Sequence, residues 1–271
     1  MPAVVRTIFD SGTVAMSTSI QPQAEKIVPN HGDIKGFTIQ VTNDTTGTLT
    51  GAKVLAAALD SIDLFDKDSA PLWSKVRGTD IKTLYLYGNR GKNISETTTS
   101  STSATDLYFI PFRVDGSRQS MRLIVNLAAY SAMATSGATA GNARVIIGAV
   151  YDDDASDKRT ERLFRVQKSG ASGSNSYAPD IVKSRAITAT YFKIGTESNL
   201  TDVTFSRDGS LELQNFSLNQ LKAAENALLE SGHQSGIFQL YHSAYRWDAK
   251  TVLDFTLGGS DTVDLFFRTE E

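Results

Sequence analysis

The chain has no cysteine, only six prolines and, among 271 residues, just three histidines. Without cysteine there are no disulfides, thiolate zinc sites or cysteine nucleophiles. His31, His233 and His242 do not pair at any zinc-motif spacing. No apolar run approaches the roughly 18–20 residues that a membrane-spanning helix needs. The start, Met1-Pro2-Ala3-Val4-Val5-Arg6, lacks a basic segment followed by an apolar stretch, so no secretory signal is expected. The net charge of −3 gives the protein as a whole no electrostatic reason to bind nucleic acid.

What the chain has is Ser and Thr, together roughly a fifth of its residues. Thr forms strands, and both residues suit polar loops, so the composition leans to an all-β protein. The length suits one large domain or two small ones. Lys35–Thr42 alternates strictly, with Phe37, Ile39 and Val41 on one face, as a half-buried strand does. Strands are likewise expected at 107–114, 121–125, 143–150, 161–166, 186–192, 237–241, 252–256 and 263–267. Pro111 inside its run implies an edge position or a bulge.

Two segments read as helices. Ser217-Leu218-Asn219-Gln220 is a capping box, followed at helical spacing by Leu218, Leu221, Ala224 and Leu228, with Gly232 placed to end the helix. The other runs from Thr79 to about Tyr87, with Ile81, Leu84 and Tyr85 as its apolar stripe. Lys53–Leu59 is helical in composition but has strand-like neighbours. Asn93–Ala104, Ser131–Asn142 and Ser169–Ser176 read as long polar loops, and the first two are expected to face outward.

A weak internal repeat organises these elements. Phe65-Asp66-Lys67-Asp68-Ser69 can be laid on Phe205-Ser206-Arg207-Asp208-Gly209. The same offset, without a gap, puts Trp73 on Leu213, Val76 on Phe216, Ile81 on Leu221 and Lys82 on Lys222. Each copy then reads strand, polar turn, strand, short helix. Upstream, Lys35–Val41 can be laid on Lys183–Ala189, with Ile39 on Ile187. The expected fold is all-β: two tandem eight-stranded jelly rolls with a short helix in each. The first would span residues 1–154 and include an N-terminal arm, and the second residues 155–271. The boundary falls in the acidic run Tyr151–Asp157. Val4, Val5, Ile8 and Phe9 precede the first regular strand, so Met1 to about Ile20 is either an arm that docks on a neighbour or an edge strand of the first barrel.

This order of elements resembles the double jelly-roll major capsid proteins of tailless icosahedral viruses of bacteria and archaea. Three passages carry the resemblance: Ile27–Phe37, Ala57–Phe65 with the turn, strand and helix after it, and Val203–Gly209 through Ser217–Leu221. The resemblance implies a structural capsid protein without enzymatic activity, assembled as a homotrimer of pseudo-hexagonal outline. Its implied partners are neighbouring capsomers, vertex proteins and, in many such viruses, an internal membrane. Its implied place is the virion shell, after synthesis in the host cytoplasm. A tandem jelly roll that binds or processes carbohydrate is the other reading, since lectin domains share the architecture.

No residue is assigned a catalytic, cofactor-binding or metal role. His31, beside Gly32, reads as a turn residue. No G-x-S-x-G elbow is present. Asp152, Asp153, Asp154 and Asp157 lack the Gly and distal Glu of an EF-hand and read as a solvated connector. Gly88–Asn93 has the wrong spacing for a phosphate loop and reads as a helix end and turn. Asn43, Asn93, Asn199 and Asn215 begin N-x-Ser/Thr patterns that arise freely in so Ser/Thr-rich a chain. Trp73 sits at an apolar repeat position and is expected in the core. Trp247, beside Tyr245 and Arg246, is the better candidate for an exposed contact.

Overall fold

A computed structural model describes residues 4–15, 21–22, 26–28, 32–45, 59–89, 96–99, 103–116, 121–128, 141–152, 159–178, 186–207, 211–241 and 251–270. The chain divides into two compact units. One comprises Met1–Asn89 with Asn93–Thr160, the other Arg90–Lys92 with Glu161–Glu271. No helix among the described residues is long and apolar enough to cross a membrane.

The first unit contains β1 (Val4–Asp10), β2 (Val14–Ala15), β3 (Gln21–Pro22), β4 (Lys26–Val28), β5 (Asp33–Thr45), β6 (Leu59–Phe65) and β7 (Pro71–Val76). After α1 (Gly78–Gly88) come β8 (Glu96–Thr99), β9 (Ser103–Val114), β10 (Met121–Leu127) and β11 (Gly141–Asp152). One sheet runs β1-β11-β5-β9-β8, with β2 also against β11. The other runs β7-β6-β10, with β3 and β4 on the outer side of β10. The chain crosses between the sheets from β5 to β6, from β7 to β9, and again into and out of β10. That winding is the jelly roll. Ile39 lies opposite both Ile147 on β11 and Tyr108 on β9, which places it at the centre of its sheet.

The second unit contains β12 (Glu161–Gly170), β13 (Gly173–Tyr177), β14 (Ala186–Ile194), β15 (Leu200–Arg207) and β16 (Leu211–Ser217). α2 (Leu218–Leu228), β17 (Ile237–Tyr241), β18 (Thr251–Leu257) and β19 (Asp261–Glu270) follow. Its sheets run β12-β19-β14-β17 and β13-β18-β15-β16. Laying β12 on β1, β14 on β5, β15 on β6, β16 on β7, β17 on β9, β18 on β10 and β19 on β11 preserves every one of those neighbours. β13 takes the place of β3 and β4. The core between these sheets includes Phe192 and Phe255, packed edge to face at 5.4 Å, together with Phe238, Val263 and Leu265.

The offset that carries Phe65 to Phe205 also carries α1 onto α2 residue for residue, Gly78–Gly88 onto Leu218–Leu228. The cap is repeated too. The Arg77 N–H donates to Asp80 Oδ2 at 3.1 Å, and the matching Ser217 N–H donates to Gln220 Oε1 at 2.9 Å. In α2 the Gln220 N–H also donates to Ser217 Oγ, which completes the capping box. Ser217→Ala is therefore expected to lower the stability of the second unit by about 1 kcal/mol, read as a lower urea midpoint.

Several expectations are resolved or corrected. Of the two readings of the N-terminal segment, Val4–Asp10 takes the edge strand. It is β1, the edge strand paired antiparallel with β11, with Ile8 and Phe9 buried and Val4 and Val5 exposed. Ser169–Ser176 is not a loop but the end of one strand and the start of another, in opposite sheets. β12 continues to Gly170, and β13 returns against β18. The turn between the two strands is closed by Asn175, whose side chain accepts from the Ala171 N–H and donates to the Ala171 and Gly173 carbonyls. Within Asn93–Ala104, Glu96–Thr99 forms β8 against β9. On α1 Ile81 and Leu84 are buried as expected, Tyr87 is buried as well, and the side chain of Tyr85 lies outside the described residues.

On α2 the buried positions are Leu221 and Glu225, while Leu228 is exposed. The helix stops at Leu228, before Gly232, whose φ of +68° serves the turn that follows. Pro111 fits both of its expected settings. β8 reaches only from Ala104 to Leu107, and a bulge lies between the Ile34–Val114 and Gly36–Pro111 pairs. Lys53–Ala58 and most of Ser131–Asn142 lie outside the described residues.

Candidate functional site

Among the described residues, the polar positions singled out in the sequence do not converge. His31, His242, Tyr245, Arg246, Trp247 and Asp248 lie outside the described residues, as do Asn93 and Asp153, Asp154 and Asp157. Asp152 closes β11. Asn89 Nδ2 donates to the Phe109 carbonyl at 2.9 Å, so the start of the Gly88–Asn93 stretch is a helix end fixed to β9. Asn199 Nδ2 donates to Asp261 Oδ2, while Asn43 and Asn215 lie in β5 and β16. Trp73 is 1 % exposed and meets Phe37 and Phe112 edge-on, so its ring has no face to offer a sugar. Among the described residues, no group of three or more His, Asp or Glu side chains is arranged to hold a metal ion.

One polar cluster does assemble, in the second unit. The turn after α2 carries His233, whose ring stacks on Phe238 of β17 at 5.1 Å. Nδ1 lies 2.6 Å from Glu225 Oε2, and Nε2 lies 2.9 Å from Glu197 Oε2. Glu225 belongs to α2 and is almost wholly buried. Its Oε1 accepts from the Gln239 N–H at 2.6 Å. Glu197 begins a 3-10 turn, Glu197–Asn199, ahead of β15. It pairs with Lys222 of α2 and accepts from the Gly236 N–H at 2.7 Å. Burial pushes the Glu197 carboxyl up. Lys222, His233, the Gly236 N–H and Ser235 outweigh that push and hold it at about 2.

Sequence reasoning reached His233 only as a lone histidine. Glu225 stands on the helix just before it, whereas Glu197 lies before β15 and meets it only through the fold. Both ring nitrogens end on carboxylates, so the ring ties elements together and presents no free nitrogen to a substrate. A second charged tie, in the first unit, joins Asp10 of β1 to Arg144 of β11 through two hydrogen bonds. Arg144, helped by the Gly12 N–H, holds the Asp10 carboxyl at about 2.

No protein-family model matches the sequence, and no curated protein matches it significantly. Solved structures do match in fold. The STIV major capsid protein shares 15% identity at a TM-score of 0.75, over 100% of this chain and 97% of that one. A chain in the atomic structure of Sulfolobus turreted icosahedral virus shares 14% at 0.73, over 99% and 90%. The major capsid protein P2 from bacteriophage PM2 shares 8% at 0.65, over 99% and 97%. The likeness runs the length of both units, and the chain has the double jelly-roll fold of these major capsid proteins.

Proposed function

We propose that this chain is a structural major capsid protein, the building block of an icosahedral viral shell. The observation that carries the reading is the end-to-end fold likeness to two distinct major capsid proteins, neither of which leaves a sizeable part of its own chain unmatched. A local similarity would have reached one jelly roll, a module shared by proteins of many functions. Two in tandem, each wound alike and each carrying its helix at the same place, give one chain two similar faces. Three such chains present six jelly rolls around a closed ring, which suits a pseudo-hexagonal homotrimeric tile. In this reading residues 1–154 and 155–271 each contribute one of the six. Neighbouring capsomers and vertex proteins are the remaining partners, and the virion shell is the place of action.

Light scattering on the purified protein tests the tile. One chain is 29.3 kDa, so a trimer has a mass of roughly 88 kDa. A concentration-independent mass near that value is the expected result. A stable monomer would overturn the homotrimer and turn attention to glycan binding.

A further inference from the structure

The Glu197–His233–Glu225 cluster lies where α2, the following turn, the 3-10 turn and β17 meet, and its composition makes it sensitive to one proton. α2 contributes Glu225 and Lys222, and Asn226 Oδ1 accepts from the His233 backbone N–H at 2.8 Å. The 3-10 turn contributes Glu197, the turn after α2 Ser235 and the Gly236 N–H, and β17 the uncharged Phe238 ring and Gln239 N–H. An imidazolium donates from both nitrogens and satisfies both carboxylates. A neutral ring has one N–H, and its other nitrogen turns a lone pair on a carboxylate oxygen. The single remaining proton stays on the Glu225 side, because leaving the more deeply buried carboxylate without its donor costs more. The Nε2 lone pair then faces Glu197 Oε2, two acceptors at 2.9 Å with no proton between them.

We propose that His233 is a proton-operated latch on the connection between α2 and β17: the charged ring fastens it, and the neutral ring releases it at Glu197. Glu197 also holds the Gly236 N–H, so its departure frees that amide. Gly236 in turn accepts from the Ile194 N–H at 2.8 Å, which ties the turn to β14. The φ of Gly236 is +76°, and a Cβ there would stand 2.7 Å from the Ile194 carbonyl oxygen, so the close approach needs glycine. The release is confined to the turn, because Gln239 keeps Glu225.

Amide hydrogen exchange on the full chain between about pH 5 and pH 8, the range over which histidine changes charge, reads the latch directly. With rates corrected for intrinsic exchange, protection of the Gly236 amide is expected to fall about tenfold or more as pH rises. The Gln239 and Phe192 amides are expected to hold. His233→Gln should remove the pH dependence at Gly236. Glu197→Gln should remove it too, since the new amide can donate to the neutral ring. Constant Gly236 protection in the natural protein would overturn the latch, and so would an equal fall at all three amides. The natural protein's profile decides the matter alone if either variant fails to fold. The result is independent of whether the protein assembles as a capsid subunit.

Discussion

Trp73→Ala is expected to destabilise the first unit by about 3–5 kcal/mol. The indole stands on β7 and is fully enclosed. Its edge-on partners, Phe37 at 4.9 Å and Phe112 at 5.3 Å, stand on β5 and β9 in the other sheet. The side chain is thus a knob that joins the two layers, and the layers cannot close over the space it would leave without shifting strands locked in register. Aromatic pairs of this geometry add to the area they bury. Among the described residues the Trp73 Nε1 atom has no hydrogen-bond partner, so the expected loss is one of packing. Trp73→Phe should accordingly retain more than half of the stability lost by the alanine variant. Urea unfolding followed by circular dichroism measures both. A loss under about 1 kcal/mol for the alanine variant would mean that the layers are not packed against each other there.

The second large effect concerns Glu161 and Arg268. Arg268 Nε and Nη2 donate to Glu161 Oε1 at 2.9 and 2.6 Å, and Nη2 also reaches Oε2 at 2.6 Å. The two side chains are 6 % and 19 % exposed, so water does little to screen the pair. The pair fastens the first residue of β12 to the last strand of the chain. Glu161→Leu alone takes the Glu161 carboxylate from a guanidinium in a mostly dry site, leaving it the Tyr191 hydroxyl, and is expected to cost about 3–5 kcal/mol. Glu161→Leu with Arg268→Met removes both charges and should cost far less than the two single changes added together. A double-mutant cycle by urea unfolding gives the coupling. Additive losses would show that the two charges do not depend on each other.

The sequence made the scaffold legible wherever side chains alternate between water and core. Phe37, Ile39 and Val41 announce β5 because that strand has one wet and one dry face. Ser217 and Gln220 announce the start of α2 because the cap is a local transaction between neighbours. β13 was not legible, because Gly173, Ser174, Asn175 and Ser176 carry no apolar alternation, and the polar contact of Ser176 is with Asp254, far along the chain. β1 was read two ways because its Val4 and Val5 are apolar yet exposed, so hydrophobicity did not say which face was covered. Glu225 took a core position expected of an apolar residue because distant groups, His233 and the Gln239 N–H, satisfy its charge. A pattern along one helix contains nothing of such partners, and for that reason the histidine cluster appears only in three dimensions.

The unbroken offset between the two copies bears on where this chain can grow. From Phe65 to the end of α1, and from Phe205 to the end of α2, one offset holds: it carries Pro71 at the start of β7 onto Leu211 at the start of β16, and Gly78 at the start of α1 onto Leu218 at the start of α2. One residue inserted in either strand would turn every following side chain from core to solvent. One inserted at the start of the helix would swing Ile81 or Leu221 off the core-facing side, since each residue advances a helix by about a quarter turn. The extra length of the first copy accordingly lies elsewhere, with β8 as one piece of it. Peptide tags and displayed epitopes are best placed in the connections outside the strand–turn–strand–helix block, where a change of length moves neither a register nor a helix face.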